Sequence, residues 1–276
     1  MKNLLAVLLT CLLALISCKN EKNAGEATVD TETSAENDTP LQKLAADLDG
    51  FWISDSYLSD IERTKSVYQS REYSKVGGLL GFSIYKDSLV TGTSRLLGFS
   101  GHEGGLYRPI KYNAAENRFD YDATRAGEFG DPIDFSLKMA GKNLLEIAHS
   151  KPSKQMDRYR KVGDKQDDLG LLDRELNRIL FEGTYTDTVT GKKVIFSRDG
   201  KIEGMDHKNY RISYHFDALD FDAVYLWSGS EANKINQVEM HFKIDGTTIR
   251  LYSIVLNKDE MEYIVSKLPF AVLIKD

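Results

Sequence analysis

Two periodicities run along the chain. Leu41, Leu44 and Leu48 fall on one helical face, as do Leu172, Leu176, Ile179 and Leu180, which predicts two short amphipathic helices. Elsewhere the period is two. Phe135, Leu137 and Met139 alternate with Ser136 and Lys138. Tyr210, Ile212, Tyr214 and Phe216 alternate with Arg211, Ser213 and His215, and Val238, Met240, Phe242 and Ile244 with Glu239, His241 and Lys243. Such alternation sets apolar side chains on one face of an antiparallel strand and polar ones on the other. Lys86-Asp87-Ser88, Ala140-Gly141-Lys142-Asn143, Arg198-Asp199-Gly200 and Asp245-Gly246 are turn signals between the runs. Short strands joined in this way predict a sandwich or a barrel.

The pattern occurs twice. Leu48-Asp49-Gly50-Phe51-Trp52 matches Phe181-Glu182-Gly183-Thr184-Tyr185. Asp87-Ser88-Leu89-Val90-Thr91-Gly92 matches Asp199-Gly200-Lys201-Ile202-Glu203-Gly204. Phe135 to Ile147, centred on Gly141, matches Met240 to Tyr252, centred on Gly246. Three matches in one order predict a tandem repeat, with units at 41–163 and 169–276. The first unit carries an extra helix-like stretch within 57–76 (Leu58, Ile61, Tyr68). Between the units lies the polar seam Gly163-Asp164-Lys165-Gln166-Asp167-Asp168, in which Asp167 or Asp168 would cap the second helix.

Ahead of the repeat the chain changes character. Met1-Lys2-Asn3 is a basic start, and Leu4 to Ile16 carry no charge. As a helix those residues would cover about 20 Å, short of the roughly 30 Å hydrocarbon core, so they read as a secretory h-region in a signal peptide at 1–17. Residues 19–40 hold six acids, two bases and no aromatic residue. Such a stretch cannot bury enough surface to offset its ordering entropy, and it reads as a tether reaching about 26 Å.

The segment Leu15-Ile16-Ser17-Cys18 resembles the lipobox of bacterial lipoproteins. The resemblance implies that the Cys18 thiol receives a diacylglyceryl group, that cleavage precedes Cys18, and that the new amino terminus is acylated. The expected partner is then the lipid bilayer, and the protein is exported and lipid-anchored. Lys19 stands where an Asp would retain an enterobacterial lipoprotein at the inner membrane, which favours the outer membrane. The other cysteine, Cys11, lies in the h-region, so the mature chain would keep no thiol for a disulfide or a metal.

The repeat units resemble the lipocalin-like, or calycin, β-barrels. The family opens with a short helix and a Gly-x-Trp on the first strand, matched by Gly50-Phe51-Trp52, and continues as an up-and-down meander. The fold expected is all-β: two tandem lipocalin-like antiparallel barrels or half-barrels, each preceded by a short helix. The resemblance also implies an Arg packed over Trp52, for which Arg158 or Arg160 in the last strand is placed. The second unit departs from the pattern, with Tyr185 in place of the Trp and no Arg in Phe270 to Lys275.

Composition narrows the chemistry. The formal charge of −6 argues against tracking nucleic-acid phosphates. Walker, zincin, Cys-x-x-Cys and dinucleotide motifs are missing, and Gly98-Phe99-Ser100-Gly101-His102 lacks the second glycine of a nucleophile elbow. The expectation is a non-enzyme without cofactor or metal. His215 and His241 fall on polar strand faces and read as solvated. Asp217, Asp220 and Asp222 have calcium-like chemistry without EF-hand spacing. The glycine-rich stretch 98–105 suits a barrel mouth. With nearby tyrosines it nominates Tyr57, Tyr68, His102, Glu103 and Tyr107 for a small apolar or amphipathic ligand. The alternative is a protein-interaction or assembly module of a cell-envelope complex, which predicts filled barrels and an exposed apolar patch.

Overall fold

A computed structural model describes residues 38–71, 78–100, 105–125, 134–151, 154–164, 170–214, 219–257 and 262–276. Residues 38–276 form one compact unit. It begins with α1 (Pro40–Leu48), started by a capping box in which Thr39 and Gln42 exchange side-chain and backbone hydrogen bonds. The chain turns at Gly50 into β1 (Gly50–Ser54), and α2 (Asp55–Thr64) follows directly, with Ser54 as its N-cap. Then come β2 (Gly81–Ile84), α3 (Lys86–Val90), β3 (Arg95–Phe99), β4 (Leu106–Asn113), β5 (Arg118–Tyr121), β6 (Asp134–Gly141), β7 (Leu144–Lys151) and β8 (Gln155–Gly163). These eight strands make a closed antiparallel barrel in chain order, sealed where Trp52 pairs with Lys161 and Ile53 with Arg160.

The second half repeats the plan. After α4 (Gly170–Leu180) come β9 (Gly183–Asp187), β10 (Lys193–Phe196), β11 (Ile202–Glu203), β12 (Asn209–Ile212), β13 (Ala223–Ser230), β14 (Asn233–Asp245), β15 (Thr248–Asn257), β16 (Glu262–Val265) and β17 (Ala271–Lys275). The sheet runs β11-β10-β9-β17-β15-β14-β13-β12, with β16 off that path on β15. A single bridge, Lys201 to Asn209, spans the remaining seam. Strand for strand, β1–β8 correspond to β9–β15 plus β17. The strand β16 is the addition.

The two openings use one device. Trp52 Nε1–H donates to the Leu48 carbonyl, four residues back, at 2.8 Å. Tyr185 Oη–H donates to the Phe181 carbonyl, also four residues back and also at 2.8 Å. Each bond satisfies a carbonyl at a helix C-terminus and fixes the helix against its barrel. The turn between needs positive φ, +133° at Gly50 and +153° at Gly183. A Cβ on Gly50 would stand 2.6 Å from the Gly163 carbonyl.

The expected Arg over Trp52 is corrected. Arg158 is drawn to Glu146 at 3.0 Å, and Arg160 to Asp55 at 2.7 Å and Glu62 at 3.1 Å, because carboxylates on β7 and α2 lie on the outer face that these arginines share. The residue opposite Trp52 is Lys161, and its counterpart opposite Tyr185 is Lys275. Lys275 lies 5.9 Å from the Tyr185 ring centroid and donates to the Glu182 carbonyl at 3.0 Å. A second correction concerns Lys86-Asp87-Ser88, which begins α3 rather than a tight turn. The matching Arg198-Asp199-Gly200 does turn.

Two apolar clusters hold the body. One fills the first barrel with Trp52, Phe82, Leu96, Phe119, Ile147 and Tyr159 among others, plugged by Leu44 and Leu48 of α1. The other fills the second barrel and continues without a break into the first half, taking in Phe51 and Ile53 from the outer face of β1 and Tyr57, Leu58 and Ile61 from α2. The two barrels therefore share a core, and the insertion expected within 57–76 supplies much of it.

Candidate functional site

Of the five nominated ligand residues the structure describes three, Tyr57, Tyr68 and Tyr107, and these do not converge. Tyr57 is fully buried in the shared core. Tyr68 lies beyond α2, with the Arg71 guanidinium 4.2 Å over its ring. Tyr107 stands on the outer face of β4, 54% exposed, with Arg95 at 5.0 Å over its ring. His102 and Glu103, like Cys18, lie outside the described residues.

Tyr68 marks a junction rather than a pocket. Its backbone N–H donates to Asp222 Oδ1 at 2.8 Å, and Asp222 also accepts from Ser66 and from the Val67 backbone. Burial pushes the Asp222 carboxyl up from its ordinary value, and those donors pull the other way. Asp222 thus ties the loop after α2 to the second sheet, while Asp217 lies outside the described residues. Glu62 of α2 adds a second tie, reaching Arg160 at 3.1 Å and Arg178 of α4 at 3.5 Å.

His241, expected in solvent, is buried. Its Nδ1 lies 2.8 Å from the Asp222 carbonyl, which can only accept, so that nitrogen carries the proton. Phe221 and Tyr252 flank the ring at 5.0 and 5.7 Å between centroids. Aromatic neighbours on the outer face of the sheet cover this histidine, and alternation alone does not show such cover. Desolvation holds its pKa below the ordinary value, and nearby Lys243 works in the same direction.

In the first barrel, His149 and Asp157 face inward at the end opposite α1. His149 Nε2 lies 3.3 Å from Asp157 Oδ2, and both side chains are buried. Among the described residues, no group of three or more His, Cys, Asp and Glu is gathered for a metal ion. No helix among them is long and apolar enough to cross a membrane.

The surface holds two more features. One is the arm made by the far end of β15 and β16, where Ile254 pairs with Val265, Val255 with Ile264 and Leu256 with Tyr263. Val255 is 62% exposed and Ile264 53%, on one face of the arm. Leu256 and Tyr263 are exposed on the other face, and Leu268 and Phe270 follow on the way to β17. Sequence reasoning missed this arm. Its signal is the loss of alternation in Ile254-Val255-Leu256 and Tyr263-Ile264-Val265, a pattern that otherwise marks a strand buried on both faces. The other feature is a cleft of about 710 Å³ beside α3, with Tyr107 among its lining residues.

Comparisons with known protein families, curated proteins and solved structures returned no match to this chain.

Proposed function

We propose that the protein is a lipid-anchored envelope lipoprotein whose double barrel is a non-catalytic scaffold presenting the β15–β16 arm to a protein partner. The exposed arm carries this reading. Among the described residues it is the one strand addition to the repeat plan, it bears apolar side chains on both faces, and β16 pairs only with β15. An unpaired edge flanked by apolar side chains suits strand addition by a partner with an apolar face, and left bare it is an aggregation hazard. The other reading, a small apolar ligand carried inside the first barrel, has weaker support, because Trp52, Phe82, Ile147, Tyr159 and their neighbours already occupy the interior.

A photocrosslinking residue at Ile264 tests the assignment in native membranes. A discrete protein adduct is expected there, and none from the same residue at exposed Lys192 on the β9–β10 turn. Adducts to lipid alone, or equal adducts at both positions, overturn it. Anchoring is tested separately by labelling with radioactive palmitate, which Cys18→Ser should abolish.

A further inference from the structure

The cleft beside α3 is the feature that neither the repeat nor the arm explains. Its wall is the β2–β3 connection, with Tyr85, Asp87, Ser88, Thr91 and Thr93. Its floor is the outer face of β3 and β4, with Arg95, Leu97 and Tyr107, and Arg125 closes one side. A volume of about 710 Å³ is within the range that holds small ligands. At the matching place in the second barrel Arg198-Asp199-Gly200 turns directly into β11, where the first barrel inserts α3.

The charges in the cleft are not spent on one another. Arg95 makes no carboxylate contact among the described residues. Its guanidinium carbon lies 5.0 Å from the Tyr107 ring centroid, a cation–π contact that uses none of its N–H donors. Arg125 donates from Nη1 to the Gly92 carbonyl at 3.1 Å and likewise meets no carboxylate within ion-pair distance among the described residues. In a chain of charge −6, two such guanidiniums at one cleft are a place for an anion. Asp87 narrows the class. Its carboxylate would repel a bare polyanion and would accept from hydroxyls. The hydroxyl oxygens of Ser88, Thr91 and Thr93 add acceptors, and the exposed tyrosine ring offers a face to an aliphatic ring.

We infer that this cleft binds a saccharide bearing an oxyanion, with Arg95 and Arg125 on the anionic group, Asp87 on the hydroxyls and Tyr107 against the sugar ring. This site is separate from the arm and does not depend on the scaffold reading.

The test is calorimetric titration of the protein with tetragalacturonate, glucose 6-phosphate and maltotetraose as probes. Binding of at least one anionic probe, weakening as salt is raised, and none of the neutral one, is expected. Arg95→Met and Arg125→Gln should each weaken it about tenfold or more, as for loss of a charge-assisted hydrogen bond. Tyr107→Ala should weaken it by a smaller factor. These three side chains are exposed, so unchanged thermal midpoints will show that the variants fold. Whether the carboxylate or the phosphate probe binds identifies the oxyanion. Equal binding of the neutral probe, indifference to both arginine substitutions, or no binding of any probe at millimolar concentration overturns the inference.

Discussion

Between its second and third strands the first barrel builds α3 and a cleft, where the second makes a tight turn. Between its third and fourth strands the first barrel pairs β3 with β4 over four positions, whereas the second joins the corresponding β11, two residues long, to β12 through one bridge. Side chains take over where that ladder is short. Asn177 of α4 donates from Nδ2 to the Arg198 carbonyl at 3.0 Å, and Tyr210 Oη–H donates to the Ser197 carbonyl at 2.8 Å. The comparison shows which parts of the plan are interchangeable. The helix-to-strand opening survives a change from Trp to Tyr because both rings reach the same carbonyl. Connections between strands diverge freely: α3 and the β15–β16 arm become surface features of one barrel, while α2 becomes part of the shared core.

The largest expected effect tests the shared opening. Trp52→Ala and Tyr185→Ala each leave a cavity and an unanswered carbonyl, and each should destabilise the protein by about 3–5 kcal/mol in urea unfolding. Since the second core runs on into β1 and α2, both variants should still unfold in a single transition. A split transition in either would show that the barrels are energetically separate despite their common cluster.

Next in size is the tie between the halves. Asp222→Ala strands the backbone N–H groups of Val67 and Tyr68, at about 1–3 kcal/mol for a buried donor left without a partner. Hydrogen exchange should rise first at residues 66–70, while the interior amides of β6 and β7 stay protected. Equal loss of protection in both places would mean that Asp222 supports global stability and not the junction.

Much of this architecture is legible in the chain. Alternation at 135–139 and 238–244 places β6 and β14, the leucine spacings place α1 and α4, and the run expected at 210–216 places β12, which ends at Ile212 with 215–216 outside the described residues. Three things are not legible. Asp87-Ser88 reads as a turn, yet five residues there close a helical turn once Leu89 finds the barrel end. His241 reads as solvated because no local pattern shows that Phe221 and Tyr252 will cover it. Of the described residues of the expected site, Tyr57 and Tyr68 go to the junction between barrels, a long-range contact that periodicity does not encode, and Tyr107 reaches a cleft.

A smaller effect probes the second barrel's short seam. Asn177→Ala removes the bond to Arg198 and should cost about 1 kcal/mol, with faster exchange at the Ile202 and Tyr210 amides that cross the seam. The β3–β4 amides should not respond, since an unbroken ladder from Arg95–Pro109 to Gly98–Leu106 holds them. An equal response there would contradict the view that only the second closure leans on side chains.

The smallest effect separates the barrels by pH. His241, in the second sheet, is held neutral by desolvation, against a carbonyl and with Lys243 nearby, so its pKa lies below the ordinary 6.5. Above that value neither the folded nor the unfolded chain protonates the ring. As pH falls below 6.5 the unfolded chain takes the proton first, and stability declines until the folded pKa is passed. Asp222 opposes this at lower pH. Its raised pKa means that the folded state binds its proton earlier than the unfolded chain, so acid stabilises through that group. Wild type should therefore lose thermal stability from about pH 7 to about pH 5, where the histidine dominates. His241→Gln should flatten the decline over that window. A variant profile parallel to wild type would assign the acid response to groups other than His241.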